Sequence, residues 1–267
     1  MFLEDGVIIE NKNMGDNYYL MKVKAVKSAG VAKAGQFYMI KCHNGIRILG
    51  RPISIHYADQ ENHILEFYYE VTGKGTKEFT NYKIGEEIRM QGPLGTGFDT
   101  EVKGKKILVV GGGMGMAPLK YLVESVKNKN TVTIIAAGRD VGAVRIADNY
   151  HFPKEDIFFA TDDGTVGMKG NAVDAMKKLL TEEQYDIVYT CGPHKMMEAV
   201  AKVAAEHKMR CQISLEEKMA CGVKACVGCS IKTKEGMKRV CADGPVFEAE
   251  VIVDVNPEEN PGCSCGN

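Results

Sequence analysis

The stretch that decides the fold reads ILVV at Ile107–Val110, GGGMG at Gly111–Gly115 and PLKYLVESVKN at Pro118–Asn128. The apolar run is typical of a buried strand, the glycines of a turn, and the periodicity that follows of a helix. Proline suits the first helical turn, where its missing N–H costs nothing. Glycines leave the backbone open to a diphosphate, which the free N–H groups at a helix start attract. The stretch predicts a nucleotide-binding turn, although the strict G-x-G-x-x-G is absent and an ordinary βα connection is the alternative.

Strands and helices alternate after this stretch, which predicts a parallel α/β domain over residues 101–210. The predicted strands are Thr131–Ala137, Ile157–Ala160 and Ile187–Thr190, and the predicted helices are Ala172–Leu180 and Lys195–His207. A second turn follows the last strand, and ligands of open parallel sheets bind outside the carboxyl ends of strands. An ordinary turn after a buried cysteine is the alternative. We assign a nicotinamide nucleotide site to Gly112, Gly113, Gly115, Cys191, Gly192 and Pro193.

Arg139 and Asp140 follow the second strand of this domain. An acidic side chain there can bind a ribose 2′-hydroxyl, whereas an arginine favours a 2′-phosphate. Because both are present, the choice between NAD and NADP stays open, with solvated surface charges as the alternative. No catalytic residue is assigned, and Cys191 is expected to position the nicotinamide rather than to react with it.

The first hundred residues have a different residue pattern, without the alternation of strands and helices. Tyr18–Val26, Phe37–Lys41 and Ile64–Val71 are rich in aromatic and aliphatic residues, and Gly, Asn and Asp separate them. Short strands at this spacing predict a small antiparallel β-barrel over residues 1–100. The glycines of Gly92–Gly97 predict a loop at the edge of this domain.

Four cysteines near the carboxyl end, Cys221, Cys226, Cys229 and Cys241, have the spacing C-x4-C-x2-C followed by a distant fourth cysteine. This is the ligand spacing of a plant-type 2Fe–2S cluster, and we assign such a cluster to a small domain over residues 211–267. Zinc is the alternative metal, but its sites usually contain two C-x2-C pairs and this segment has one. Cys263 and Cys265 match no motif and are expected to be free thiols, with an additional metal contact as the alternative.

Composition excludes several classes of protein. The chain has 267 residues and a formal net charge of −1, so it has no basic excess to favour a nucleic acid as partner. No apolar run approaches the roughly 18 residues that a membrane span needs. The start of the chain does not resemble a signal peptide, so the nine cysteines are expected in the reducing cytoplasm rather than in disulfides.

Several motifs in this order resemble the ferredoxin-reductase superfamily, in which a flavin-binding barrel precedes a nicotinamide-binding domain. They are Arg51-Pro52-Ile53-Ser54, Gly73-x-Gly75-Thr76, the glycine turn and Cys191-Gly192-Pro193. The stretches SLEEKMACGVKACVGC at 214–229 and VCADGPVF at 240–247 are similar to the electron-transfer subunits of two-subunit, NAD-linked dihydroorotate dehydrogenases.

The resemblance implies FAD, a 2Fe–2S cluster and NAD as cofactors. It places FAD on Arg51, Pro52, Ile53, Ser54, Tyr68, Tyr69, Glu70, Gly75 and Thr76. It also implies an FMN-containing partner that oxidises dihydroorotate in pyrimidine biosynthesis, in a heterotetramer with the cluster segment at the subunit contact. Two positions depart from the pattern, because Glu70 stands where the family often has arginine and Ile53 where the superfamily often has tyrosine.

Two other functions stay open at this point. A related subunit of an NAD(P)H–ferredoxin or sulfide-type oxidoreductase would carry the same flavin and iron–sulfur motifs. A zinc-stapled nucleotide-binding module without enzymatic activity would carry the cysteines and the glycine turn alone.

Overall fold

The computed structural model of the chain describes residues 1–43 and 47–252, so Cys263 and Cys265 lie outside the described residues. The first sheet has seven strands, each antiparallel to its neighbours. They are β1 (Phe2–Gly15), β2 (Tyr18–Lys24), β3 (Phe37–Ile40), β4 (Arg51–Ser54), β5 (Tyr57–Asp59), β6 (Ile64–Glu70) and β7 (Glu87–Leu94), in the order β4-β3-β7-β1-β2-β6-β5. Helix α1 (Lys74–Phe79) connects β6 to β7.

The two edge strands of this sheet, β4 and β5, are separated by only two residues, Ile55 and His56. Both are fully buried, and the His56 backbone N–H donates to the carbonyl of Glu66 at 2.8 Å. The chain therefore leaves its pairing with β3 and joins β6 within two residues, which curls the sheet into a barrel. This confirms the antiparallel barrel predicted from the sequence.

The pleat of β6 divides its side chains between two faces. Phe67 and Tyr69 are buried, and Phe67 packs edge-on against Tyr38 with ring centroids 5.5 Å apart. Glu66 and Tyr68 point to the opposite face, where Glu66 forms an ion pair with Lys120 of the second domain. One face of β6 therefore fills the barrel and the other faces the α/β domain.

The second sheet is parallel over six strands, as predicted. They are β8 (Lys106–Gly112), β9 (Thr131–Gly138), β10 (Ile157–Thr161), β11 (Met168–Lys169), β12 (Ile187–Cys191) and β13 (Arg210–Ser214), and the helices are α2 (Met116–Val126), α3 (Val141–Val144), α4 (Ala172–Glu182) and α5 (His194–Glu206). The strand order β11-β10-β9-β8-β12-β13 reverses direction between β8 and β12. Open α/β sheets bind ligands at such a switch point.

The carboxyl-terminal segment adds a hairpin and returns to the second sheet. Strands β14 (Ser230–Thr233) and β15 (Gly236–Arg239) form the hairpin, β16 (Val246–Glu248) pairs antiparallel with β13, and α6 (Ala249–Ile252) follows. Because β13 begins at Arg210 and belongs to the second sheet, the segment is connected to that sheet on both sides. The domain boundaries at 100 and 210 stay predictions.

Strand β7 continues into the predicted loop Gly92–Gly97 and ends at Leu94. Gly92 is therefore a strand residue, and its position requires glycine because a side chain there would collide with the ring of Tyr38. The turn follows at Gly95, whose φ is +79°. No helix within the described part of the chain has the length and apolarity to cross a bilayer.

Candidate functional site

The four predicted cluster cysteines lie in two pairs. The Cys221 sulfur accepts backbone N–H groups from Val223 and Cys226, both at 3.4 Å. The Cys229 sulfur accepts the N–H of Cys241 at 3.4 Å. Across residues 1–43 and 47–252, no three cysteine, histidine or acidic side chains converge on one ion position. The four thiols thus form two pairs, Cys221 with Cys226 and Cys229 with Cys241.

Hydrogen bonding and burial separate the acidities of these thiols. The N–H of Val223, followed by that of Cys226, lowers the pKa of the Cys221 thiol to about 7. Burial, together with the smaller contribution of the neighbouring Cys229, raises the pKa of the Cys241 thiol to about 11. Backbone N–H groups directed at a sulfur stabilise the thiolate, which is the form that binds metal.

Residues 221–229, which contain three of the four cysteines and are called the cysteine loop below, pack directly on the barrel. A side chain at Gly222, whose φ is +68°, would lie 2.6 Å from the Cγ atom of Met39. Met39 lies on β3 and pairs with Pro52 of β4. The backbone N–H of Thr96 donates to the carbonyl of Gly244 at 2.6 Å and holds the far end of the cluster segment to the barrel. Only one strand, β3, separates the cysteine loop from the predicted flavin strand.

The structure brings the predicted flavin residues Arg51, Gly75 and Thr76 together. A Cβ atom on Gly75 would collide with the Arg51 guanidinium, so the arginine lies across the start of α1. The Thr76 hydroxyl accepts the N–H groups of Thr72 and Gly73 at 3.1 and 3.3 Å and fixes the turn that precedes α1. A guanidinium beside an open backbone is a geometry that suits a phosphate.

The predicted residues of β6 do not all face the same way. Tyr68 and Glu70 face the α/β domain, whereas Tyr69 stacks on Tyr19 inside the barrel with ring centroids 5.7 Å apart. Tyr69 can therefore contact a flavin only through its backbone. On β4, Pro52, Ile53 and Ser54 pair with β3 and are half-buried.

The two predicted nucleotide turns meet at the switch point. A Cβ atom on Gly115 would collide with the carbonyl of Cys191, and one on Gly112 would lie 2.9 Å from the Cδ atom of Pro193. Gly113 and Gly192 have φ of +52° and +154°, which favour glycine. A narrow crevice lined by Tyr18, Tyr68, Gly113 and Met114 separates this turn from the barrel. The turns are thus adjacent to the barrel face that carries Tyr68.

Sequence reasoning missed one acidic residue at this junction. Glu216 lies two residues after β13 and is solvent-accessible. Desolvation, followed by the charges of Glu217 and Glu70, raises the pKa of its carboxyl. Desolvation, followed by the charge of Glu216, raises the pKa of the Cys191 thiol to about 12, so the thiol is protonated near neutral pH. Glu216 thus lies close enough to Glu70 of the barrel and to Cys191 of β12 for their charges to affect one another.

The structure gives Asp140 a role in the start of a helix. Asp140 caps α3 by accepting the N–H of Ala143 at 3.0 Å. One of its carboxylate oxygens is therefore engaged by the backbone, and the choice between a 2′-hydroxyl and a 2′-phosphate stays a prediction.

Solved structures share this fold. The NADH-dependent reduced ferredoxin-NADP oxidoreductase matches with a TM-score of 0.83 and 27% sequence identity, over 92% of this chain and 89% of that chain. The ferredoxin reductase of carbazole 1,9a-dioxygenase matches with a TM-score of 0.66 over 78% of this chain and 66% of that chain, and at 21% identity it supports the fold alone. The class is therefore that of ferredoxin-reductase-like proteins.

Curated relatives narrow the class to one family. Electron transfer subunits of dihydroorotate dehydrogenase B (NAD(+)) from Clostridium acetobutylicum and Caldanaerobacter subterraneus are 38% and 39% identical to this chain. The alignments cover 92% and 82% of this chain, and 95% and 86% of the relatives. Residues 216–253 match the family described as the iron-sulfur cluster binding domain of dihydroorotate dehydrogenase B. The chain belongs to the family of dihydroorotate dehydrogenase B electron transfer subunits, which confirms the resemblance seen in its sequence.

Proposed function

We propose that the chain passes electrons from a dihydroorotate-oxidising catalytic subunit through a 2Fe–2S cluster and FAD to NAD⁺. The observation that carries this proposal is the position of β4. On one side Pro52 pairs with Met39, which packs on the cysteine loop. On the other side His56, two residues after Ser54, contacts the carbonyl of Ala117 at 2.7 Å, just after the nucleotide turn. The predicted flavin strand thus lies one strand away from the cysteine loop and two residues before the contact with α2.

The three sites have complementary chemistry. A flavin exchanges single electrons with an iron–sulfur cluster and a hydride with nicotinamide, so it links the two. For FAD we propose Arg51 and Gly75-Thr76 at the phosphates, with Pro52, Ile53, Ser54, Tyr68, Tyr69 and Glu70 along the ring system. For NAD we propose the turns that contain Gly112, Gly113, Gly115, Cys191, Gly192 and Pro193. Cys191 is held as a neutral thiol and positions the nicotinamide.

The paired cysteines favour a two-iron cluster over zinc. A zinc ion needs its four ligands around one point, whereas two irons divide four thiolates between them. The pairs Cys221–Cys226 and Cys229–Cys241 match the second requirement. The N–H groups directed at Cys221 and Cys229 are the kind of hydrogen bond that tunes cluster potentials.

The chain has a catalytic partner subunit, as its family name states. We propose that this partner contains FMN, that the assembly is a cytoplasmic heterotetramer, and that the cysteine loop lies at the contact. Val227, between two cluster cysteines, is 61% exposed, and Met237 at the hairpin is 66% exposed. Exposed apolar side chains beside an electron-transfer site fit a surface that a partner covers.

The test is an anaerobic preparation of the chain with its partner, assayed for iron, acid-labile sulfide and flavin. We expect two irons, two sulfides and one FAD for each copy of this chain, and reduction of NAD⁺ by dihydroorotate. A colourless protein that contains zinc would contradict the proposal.

A second function is favoured by one observation, the TM-score of 0.83 to the NADH-dependent reduced ferredoxin-NADP oxidoreductase. In that case reduced ferredoxin, and not dihydroorotate, would bleach the flavin and cluster bands of the complex. Titration of the oxidised complex with each donor separates the two functions.

A further inference from the structure

Helix α2, which begins at the nucleotide turn, is attached to the barrel through one face. The His56 Nδ1–H donates to the carbonyl of Ala117 at 2.7 Å, and the Lys120 ammonium pairs with Glu66 at 2.7 Å. In addition, the hydroxyl of Tyr121 donates to a barrel carbonyl, that of Ala32, at 3.1 Å. Ala117, Lys120 and Tyr121 are at positions i, i+3 and i+4, so they share one side of the helix.

The His56 contact is the link nearest to both predicted cofactor sites. His56 lies two residues after Ser54, and Ala117 lies two residues after Gly115. The preceding carbonyl, that of Met116, accepts a hydrogen bond from the hydroxyl of Tyr150, a residue of the α/β domain, at 2.5 Å. The first turn of α2 is thus held by buried side-chain donors from both domains.

The buried environment of the His56 ring is energetically unfavourable. The ring is fully buried, and its Nε2 atom has no hydrogen-bond partner. A buried polar atom without a hydrogen-bond partner destabilises the fold. Burial and the nearby Lys120 charge lower the pKa of the ring to about 3, so it is neutral and carries its proton on Nδ1, where the carbonyl accepts it. An apolar residue of similar size would avoid the cost but would lose the link.

We propose that His56 is a positioning residue that fixes the nucleotide turn against the flavin strand and so sets the distance between the nicotinamide and flavin sites. The inference rests on the proposed function of those two sites. Hydride transfer needs close approach, and a displacement of about 1 Å can reduce a rate by roughly a hundredfold. Of the three contacts that attach α2 to the barrel, the hydrogen bond from His56, which follows β4, is the nearest to the nucleotide turn and therefore limits that displacement most directly.

The experiment compares three substitutions in the holoprotein. His56→Asn keeps an amide N–H near the position of Nδ1, His56→Gln moves the amide outward by one methylene, and His56→Leu removes the donor. His207→Leu, at an exposed position, is the control. The measurements are FAD and iron content, the KM and kcat of NADH-dependent ferricyanide reduction, the flavin–nicotinamide charge-transfer band, and amide hydrogen exchange over residues 113–121.

We expect His56→Leu and His56→Gln to lower kcat/KM for NADH by about tenfold, or ~1.4 kcal/mol. We also expect them to weaken the charge-transfer band and speed exchange over residues 113–121, with FAD content unchanged. His56→Asn should stay near the wild type. If the His56→Leu variant does not fold, the comparison between the His56→Asn and His56→Gln variants tests the proposal. Equal exchange and equal kcat/KM in the His56→Asn and His56→Gln variants would overturn the proposal.

Failure of the proposed function would look different. A wild-type protein that holds no FAD, or that does not oxidise NADH, would contradict the proposed function. The exchange comparison over residues 113–121 would still show whether His56 fixes α2, because the hydrogen bond to Ala117 exists without either cofactor.

Discussion

At the scale of single residues, Gly75 shows how one missing side chain shapes a site. Arg51 lies where a Cβ atom on Gly75 would stand. We predict that Gly75→Ala displaces the guanidinium and weakens FAD binding by about tenfold or more, because a charge-assisted contact to a phosphate is lost. Alanine otherwise favours a helix over glycine by about 0.5–1 kcal/mol, so helix propensity alone predicts stabilisation. Fluorescence titration of the apoprotein with FAD measures the effect.

Gly73 provides the matched control for this prediction. It lies two residues earlier, its backbone is extended with φ of −157°, and nothing lies within 4 Å of a Cβ atom built on it. Gly73→Ala should therefore bind FAD as the wild type does. Equal FAD affinity in the two variants would show that Arg51 does not serve the flavin.

His56 gives a prediction about pH. Its pKa is lowered to about 3 by desolvation, with the charge of Lys120 next in size, while an unfolded histidine titrates near 6.5. As pH falls, the unfolded state takes up the proton first, so the stabilising contribution is complete above about pH 6.5 and is lost toward pH 3. Between about pH 7 and pH 5.5 the wild type should lose about 1 kcal/mol of unfolding free energy through this group.

The measurement is the thermal midpoint of the holoprotein at the two pH values. His56→Asn lacks the titrating ring and should lose about 2–4 °C less than the wild type over this range. The exposed His207→Asn should follow the wild type. An identical pH response of His56→Asn and the wild type would mean that His56 is not the group that makes the fold acid-sensitive.

At the scale of elements, the turns after β8 and β12 depend on each other. Gly115 has a φ of −61°, which alanine adopts easily, yet a Cβ atom there would collide with the carbonyl of Cys191. Because both partners are backbone atoms, neither can move aside as a flexible side chain could. We predict that Gly115→Ala weakens NADH binding by about tenfold or more by forcing the turns apart. Isothermal titration with NADH measures this change.

The control for Gly115 is Gly30→Ala, which meets no atom closer than 4.0 Å. It should bind NADH as the wild type does. Flavin and cluster absorbance should stay the same in both variants, because Gly115 lies outside those two sites. A Gly115→Ala protein with normal NADH affinity would contradict a nucleotide site at the switch point.

The elements also show what the sequence can predict. Strands such as β8 and β12 are recognisable because each is a short apolar run that one sheet buries on both faces. Strand β1 was missed because its 14 residues mix charged and apolar positions, and its pairing with β2 and β7 is a tertiary feature. The return of β16 to β13 was missed for the same reason.

In the candidate site too, the sequence predicts the ligand residues but not the contacts that place them. The spacing of the cysteines predicts four ligands because three of them share one short loop. No sequence pattern places that loop on Met39, since the contact joins segments about 180 residues apart. The buried role of His56 was also hidden, although a histidine between Ile55 and Tyr57, directly after the flavin motif, is a signal that could have indicated it.

At the scale of the whole molecule, the barrel is the element that the other two parts share. The cysteine loop packs on β3, and helix α2 is attached near β4 and β6. Neither the loop nor the nucleotide turn needs to contact the other for electrons to pass, because each lies close to the flavin strand, the loop across β3 and the turn beside His56. Removing the cluster should therefore interrupt transfer from the partner without affecting the exchange between NADH and FAD.

This separation gives the last prediction. Cys226→Ser removes the exposed member of the Cys221–Cys226 pair. The assembled complex should therefore lose cluster absorbance and at least about 99% of dihydroorotate-dependent NAD⁺ reduction, ~2.7 kcal/mol or more. FAD content and NADH–ferricyanide activity should stay the same, because Arg51, Gly75 and the nucleotide turns are untouched. Cys211→Ala, which removes a buried thiol from β13, is the control and should keep both activities. Normal NAD⁺ reduction by the Cys226→Ser complex would mean that electrons reach the flavin by a route that bypasses the cysteine loop.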